Sequence, residues 1–209
     1  MDEKIIRNEA DVAKGAAWLA EQEPRFAHAL SLTGALPTRL RKDGFEALLS
    51  AIVSQQISVA AARGVWARLE AAGAITTDAI MRLSEEDLRA LGLSRQKARY
   101  AKALAERGID FPALRCQRAE TVVLELTAVK GIGIWTAEIY AMFSLGRADV
   151  FAAGDLALQE SARMLFGLDA RPGDKALREM AKAWAPWRSV AARLLWAYYH
   201  VIKDREGIN

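Results

Sequence analysis

The chain has 209 residues, 52% hydrophobic and 26% charged, with a net charge of +3 and a pI near 9.1. This is an ordinary globular composition with room for one large or two small domains, and its charge permits nucleic-acid binding without implying it. The sole cysteine, Cys116, excludes an internal disulfide and a four-cysteine iron–sulfur cluster, and no run of about 18 apolar residues is available to span a membrane. The charged start MDEKIIRNEADVAKG lacks the apolar core of a signal peptide, so a reducing cytoplasm is the expected compartment.

Residues 8 to 32 read as two short helices. Asn8 is the N-cap of the first, Val12, Ala16 and Leu19 form its stripe, and Pro24 lies just inside the second start. The stretch 33 to 44 is a loop broken by Gly34, Pro37 and Gly44. Asp43 is expected to cap a buried helix carrying Phe45, Leu48, Leu49, Ile52 and Val53. That helix gives way at Ser54-Gln55-Gln56 to another from Ser58 to Gly73. Thr77 to Leu83 and Ser84 to Leu91 read as short capped helices. Ser94 then caps a basic helix, and Ser94 and Lys97 at its start are placed to meet phosphate. After Phe111 and Pro112 comes a helix through Val122, Val123 and Leu126. The Gly131-Ile132-Gly133 turn follows, and then a second helix from Trp135 to Leu145. Helices over Leu156 to Phe166, Lys175 to Ala185 and Trp187 to Lys203 complete an all-α reading with no sustained strand alternation.

The hairpin around Gly131 and the residues after it organise the rest. Two glycines flanking one apolar residue let the backbone turn with positive φ, and without Cβ atoms an anion can approach the N–H groups of Gly131, Ile132 and Gly133. Nine residues past Gly146, Asp155 sits in a small-residue loop made of Ala152, Ala153 and Gly154, where it also reads as an N-cap for the helix from Leu156.

The run LTAVKGIGIWTAEIY followed by this Gly-Asp loop resembles the helix-hairpin-helix DNA glycosylase superfamily, most closely its 3-methyladenine DNA glycosylase II, or AlkA-like, branch. FEALLSAIVSQQISVAAA, LRALGLSRQKARYAKALA and WAPWRSVAARLLWAYY follow that branch's order, so the likeness spans roughly residues 40 to 200. Ala152 and Ala153 stand where the family often has a proline, a departure that bears on loop rigidity and not on the aspartate.

The resemblance implies one glycosylase domain over residues 1–209 with two helical subdomains, about 35–115 and 116–209, packed with the N-terminal helices. The active site would lie in the cleft between them. It implies no separate N-terminal β-rich domain. Asp155 would be the catalytic carboxylate, stabilising an oxocarbenium-like sugar and positioning water. Trp135 and Trp187 would line the base pocket, and Gln56 would fill the gap left by a flipped nucleotide. Backbone carbonyls of Thr127, Val129 and Gly131 would hold a structural K+ or Na+, with no cofactor needed for catalysis. The expected function is monofunctional excision of 3-methyladenine and other N-alkylpurines from damaged double-stranded DNA by a monomer. A glycosylase for uracil or for deaminated or oxidised bases, and a non-catalytic DNA-binding module, are the alternatives.

Overall fold

The computed structural model describes residues 3–205, which are helices and connecting loops apart from one isolated bridge between Ile5 and Arg147. In chain order the helices are α1 (Glu9–Gln22), α2 (Pro24–Thr33), α3 (Phe45–Ser54), α4 (Val59–Ala71), α5 (Thr77–Arg82), α6 (Glu85–Ala90) and α7 (Arg95–Glu106). They continue as α8 (Phe111–Cys116), α9 (Ala119–Thr127), α10 (Ile134–Phe143), α11 (Leu156–Phe166), α12 (Asp174–Met180) and α13 (Arg188–Arg205), with a 3-10 turn at Ala181–Trp184. No helix among the described residues is long and apolar enough to cross a membrane.

The chain forms two compact units. One runs to Leu40 and resumes at Ala141; the other is Arg41–Tyr140. This division differs from the one expected at residue 115, because the hairpin belongs with α3 to α9.

In the Arg41–Tyr140 unit, α7 packs against α3, α5 and α6. Its buried face is Ala98, Ala101, Leu104 and Ala105, small enough for close approach. Polar side chains close the helix ends. Ser58, Ser84 and Ser94 cap α4, α6 and α7, and Lys102 Nζ donates to the carbonyls of Ile80, Met81 and Leu83, where α5 leaves acceptors unpaired. Asp43 does not cap α3. Gly44 takes that position with no side chain to offer, and Asp43 instead forms a two-pronged pair with Arg115. The charged fork holds the carboxylate more strongly than a neutral N–H would. The Gly44 N–H turns to the Tyr140 hydroxyl at 2.9 Å, and burial pushes that phenol up to about 12. Helix α8 is an addition to the expected elements: Asp110 caps it, and Pro112 falls in its first turn, where a missing N–H costs nothing.

In the other unit, α13 packs on α1, α2 and α11. An aromatic cluster closes its core. Trp184 meets Phe26 edge-on at 5.2 Å and Phe151 at 5.3 Å, and lies flat on Phe166 at 5.8 Å. Each such pair contributes about 0.5–1.5 kcal/mol beyond area burial. Trp184 belongs to the 3-10 turn that interrupts the single helix expected over 175–185.

Candidate functional site

The hairpin is built from the end of α9 and the start of α10. Val129 and Ile132 are buried and anchor it, and Ile132 N donates to Val129 O at 3.0 Å to close the turn. Gly131 has φ +99, and a Cβ there would sit 2.2 to 2.7 Å from the Tyr100 side chain. Its glycine is therefore required by the fold. Gly133 is different: its φ is not in the left-handed region and a Cβ would meet nothing within 4 Å. The expectation that both glycines serve the turn holds for Gly131 only; at Gly133 the missing Cβ leaves open space beside the first turn of α10. Helix geometry gives that turn N–H groups without intrahelical acceptors, which is the feature that attracts anions.

Gln56, Ser94, Lys97, Gly131, Ile132 and Gly133 all line one cavity of about 560 Å³ in this unit, together with Gln55, Ile57, Gln96 and Tyr100. Ser94 caps α7 by accepting from Lys97 N at 3.2 Å. Lys97 Nζ donates to Val53 O at 2.7 Å, at the end of α3, and burial holds its pKa below the ordinary lysine value. One of its three ammonium donors is thus used within the fold. Gln56 is exposed with φ +56, while Gln55 Nε2 donates to Gly131 O at 2.9 Å. Thr127 uses its hydroxyl on Val123 O, so only its carbonyl remains to serve an ion, as with Val129 and Gly131. Trp135, 44% exposed, stands on the first turn of α10.

In the other unit, Asp155 is the N-cap of α11. Its Oδ1 accepts from Ala157 N at 2.9 Å, Leu158 N at 3.0 Å and Trp196 Nε1 at 3.2 Å. Three donors on one oxygen fix the plane of the carboxylate. The loop before it lacks a proline and is held by other means. Arg188 makes a two-pronged pair with Asp149 at 2.6 and 2.9 Å, Ser189 N donates to Ala148 O at 2.9 Å, and the buried Gln159 side chain donates to Ala153 O at 2.9 Å. Ala152 and Ala153 are fully buried, so bulk and hydrogen bonds together supply the rigidity.

Trp196 was not singled out by the sequence. Its ring lies against Phe143 at 5.8 Å, and the Arg193 guanidinium lies over the Phe143 ring, 4.7 Å from its centroid. Arg193 is 2% exposed and donates to Thr38 O and to the carbonyl and hydroxyl of Ser189. Burial first, and then the charge of Arg39, pull its pKa down to about 10. The signal available was that Trp196 falls between Leu194 and Tyr198, off the apolar stripe of α13. Trp187, expected in the base pocket, is a core side chain at 6% exposure. A Cβ on Gly15 of α1 would lie 2.7 Å from its ring, and Lys4 Nζ sits 5.6 Å from its centroid. Trp187 precedes α13 and packs back on α1; the indole that meets Asp155 is Trp196.

Residues 49–186 match the family described as HhH-GPD superfamily base excision DNA repair protein. The DNA-3-methyladenine glycosylase 1 of Schizosaccharomyces pombe is 33% identical over 165 residues, which is 75% of this chain and 72% of that protein. A putative DNA-3-methyladenine glycosylase of Bacillus subtilis is 33% identical over 123 residues, 57% of this chain and 43% of the relative's length. Among solved structures, the DNA-3-methyladenine glycosidase of Bacillus halodurans aligns with a TM-score of 0.82 and 34% identity over 98% of this chain and 95% of that one. The Schizosaccharomyces pombe 3-methyladenine DNA glycosylase in complex with abasic DNA aligns with a TM-score of 0.76 and 29% identity, covering 88% of this chain and 95% of that one.

Proposed function

Because the chain belongs to the HhH-GPD superfamily of base excision DNA repair proteins, we propose that it is a DNA glycosylase that hydrolyses the N-glycosidic bond of alkylated bases in damaged duplex DNA. The observation that carries this reading is the carboxylate of Asp155, fixed at the start of α11 by two backbone N–H groups and the Trp196 indole. Capping alone explains the two backbone bonds and would serve a module that only bound DNA; the third donor, the Trp196 indole, is the one that capping does not require.

The chemistry follows from charge. A purine alkylated at N3 or N7 is cationic, so breaking its bond to C1′ sends the bonding electrons onto the base and releases it neutral. The positive charge then resides on the sugar as an oxocarbenium ion, which a fixed carboxylate stabilises. Water adds to C1′, and its proton passes to Asp155 or to solvent. The Trp196 ring, set against Phe143, gives an aromatic face of the kind that attracts a cationic base by about 0.5–2 kcal/mol. In the Arg41–Tyr140 unit, Trp135 is an exposed indole on the hairpin's second helix.

The hairpin N–H groups and the cavity beside them hold the phosphate backbone without reading sequence. Val129 O and Gly131 O each accept one hydrogen bond and each keep a second lone pair, so these carbonyls with that of Thr127 suit a weakly bound K+ or Na+. That ion would add positive charge beside a phosphate and takes no part in hydrolysis. On this reading the protein is a cytoplasmic monomer that needs no metal or other cofactor for the reaction.

The test is a panel of duplexes carrying 3-methyladenine, 7-methylguanine, uracil or 8-oxoguanine, with free base measured in the presence of EDTA. Release of the alkylpurines is the expected result. Release confined to uracil or 8-oxoguanine, or no release from any duplex, would overturn the assignment.

A further inference from the structure

Gln56 is one of two non-glycine residues with positive φ among the described residues, and it stands in the short connection between α3 and α4. A left-handed backbone is unfavourable for a residue with a Cβ, and persists where the surroundings hold it. Here the surroundings can be named. On one side Ser58 caps α4 by accepting from Ala61 N at 3.2 Å. On the other, Lys97 Nζ pins Val53 O in the last turn of α3 at 2.7 Å, and the half-buried side chain of Gln55 reaches across to Gly131 O at 2.9 Å. Gly131 is itself pressed against the Tyr100 ring, and the Tyr100 hydroxyl receives the Gln96 amide. One side-chain hydrogen bond therefore joins the turn that carries the hairpin to the residue directly before Gln56.

We propose that Gln55 is a positioning residue: by tying its amide to the Gly131 carbonyl it holds Gln56 in the left-handed conformation that presents the Gln56 side chain to DNA, and so couples the hairpin's hold on phosphate to the placement of that side chain. The proposal rests on the DNA-glycosylase reading only for its consequence at a lesion. The conformational part concerns the free protein. Without the tie, residue 56 is free to relax into an ordinary helical or extended basin, and its side chain withdraws. Gly131 keeps its place, because Tyr100 and the buried Val129 and Ile132 still hold the turn. The loss should therefore be felt in lesion recognition and not in general affinity for duplex.

The variants are Gln55→Leu, which keeps the bulk and loses the donor, and Gln55→Glu, which keeps the shape and places charge against the carbonyl. In the free protein, backbone NMR of residue 56 should show the left-handed conformation in wild type and its loss in both variants. Retention of that conformation in Gln55→Leu overturns the proposal whatever the protein does to DNA. With duplexes, wild type should prefer one containing an abasic site over an undamaged one. Gln55→Leu should lose about tenfold of that preference, the scale of one hydrogen bond, while its affinity for undamaged duplex stays within about twofold; Gln55→Glu should lose the preference and, with a carboxylate beside the phosphate cavity, bind both duplexes more weakly. Equal weakening on both duplexes would mean a merely structural tie and overturn the coupling. Absence of any preference in wild type would count against the glycosylase reading and leave the NMR result to decide the conformational claim.

Discussion

Oδ1 of Asp155 accepts from two N–H groups of α11 and from Trp196, so the carboxylate that closes a helix is also the one to which we assign the chemistry. The two roles separate on substitution of the indole. Trp196→Phe keeps a ring against Phe143 and removes the Nε1–H donor to a charged acceptor, an interaction of about 1.5–3 kcal/mol. Single-turnover base release should fall about 10- to 100-fold with duplex affinity nearly unchanged. Trp187→Phe should do the reverse: a core ring shrinks beside Gly15, so Tm falls, with a cost of about 1–3 kcal/mol, and the rate at low temperature stays. A normal rate in Trp196→Phe with a lost rate in Trp187→Phe would return the base pocket to Trp187. Asp155 was legible as the N-cap of α11 from its place in a small-residue loop before a helix. The choice between Trp187 and Trp196 was not, since a tryptophan's role depends on where its ring points, and helical periodicity records only which face is apolar.

At the scale of elements, the hairpin and the Asp155 loop show two ways of making a backbone rigid. The hairpin relies on a glycine. Gly131→Ala would force a left-handed φ on a Cβ and drive it into Tyr100, lowering Tm and weakening DNA binding together, at a stability cost of about 1–3 kcal/mol. Gly133→Ala meets no atom of the protein. It should leave Tm in place or raise it slightly, and still weaken binding to every duplex alike, because its Cβ would fill the open space to which we assign the phosphate. Thermal melting and salt-dependent binding isotherms on both variants check this; a Gly133→Ala protein that melts early but binds normally would contradict it. The loop before Asp155 instead uses the Arg188–Asp149 pair, the Gln159 side chain and two buried alanines. The sequence could place the glycines, for Gly-X-Gly between two apolar periodic runs is a local signal. It could not show that Asp43 would pair with Arg115 across 72 positions and leave α3 without a side-chain cap, because capping rules are local and that pair is not.

Across the whole molecule, the helical pattern was readable nearly throughout, since caps and breakers separate short amphipathic runs. The division into Arg41–Tyr140 and the remainder was not, because it falls inside α10, where composition does not change. Stability should depend on acid in a defined way. Arg115 beside Asp43, the Ser84 hydroxyl and backbone N–H beside Asp87, and Arg163 beside Glu160 each hold a carboxyl below its ordinary value. A lowered folded pKa means the unfolded chain binds protons first as pH drops, so the stabilisation is complete above the unfolded values of 3.8 and 4.5 and is lost as pH falls through the folded ones. Tm should be flat near neutrality and decline below about pH 4 to 5. Asp43→Asn should lower the neutral plateau slightly and make the acid decline shallower; an unchanged acid limb would show that the Arg115 pair contributes nothing in solution.

The most direct test of hydrolytic base excision by Asp155 is single-turnover release of 7-methylguanine from one duplex by wild type and by Asp155→Asn, the strand then being analysed with and without hot alkali. The amide keeps the size of the side chain and an oxygen able to cap α11, and loses the charge that we propose acts on the sugar. Wild type should release the base and leave a strand that breaks only after alkali, while Asp155→Asn should bind the duplex normally and release almost none. Retention of most of the excision rate by Asp155→Asn would contradict the account.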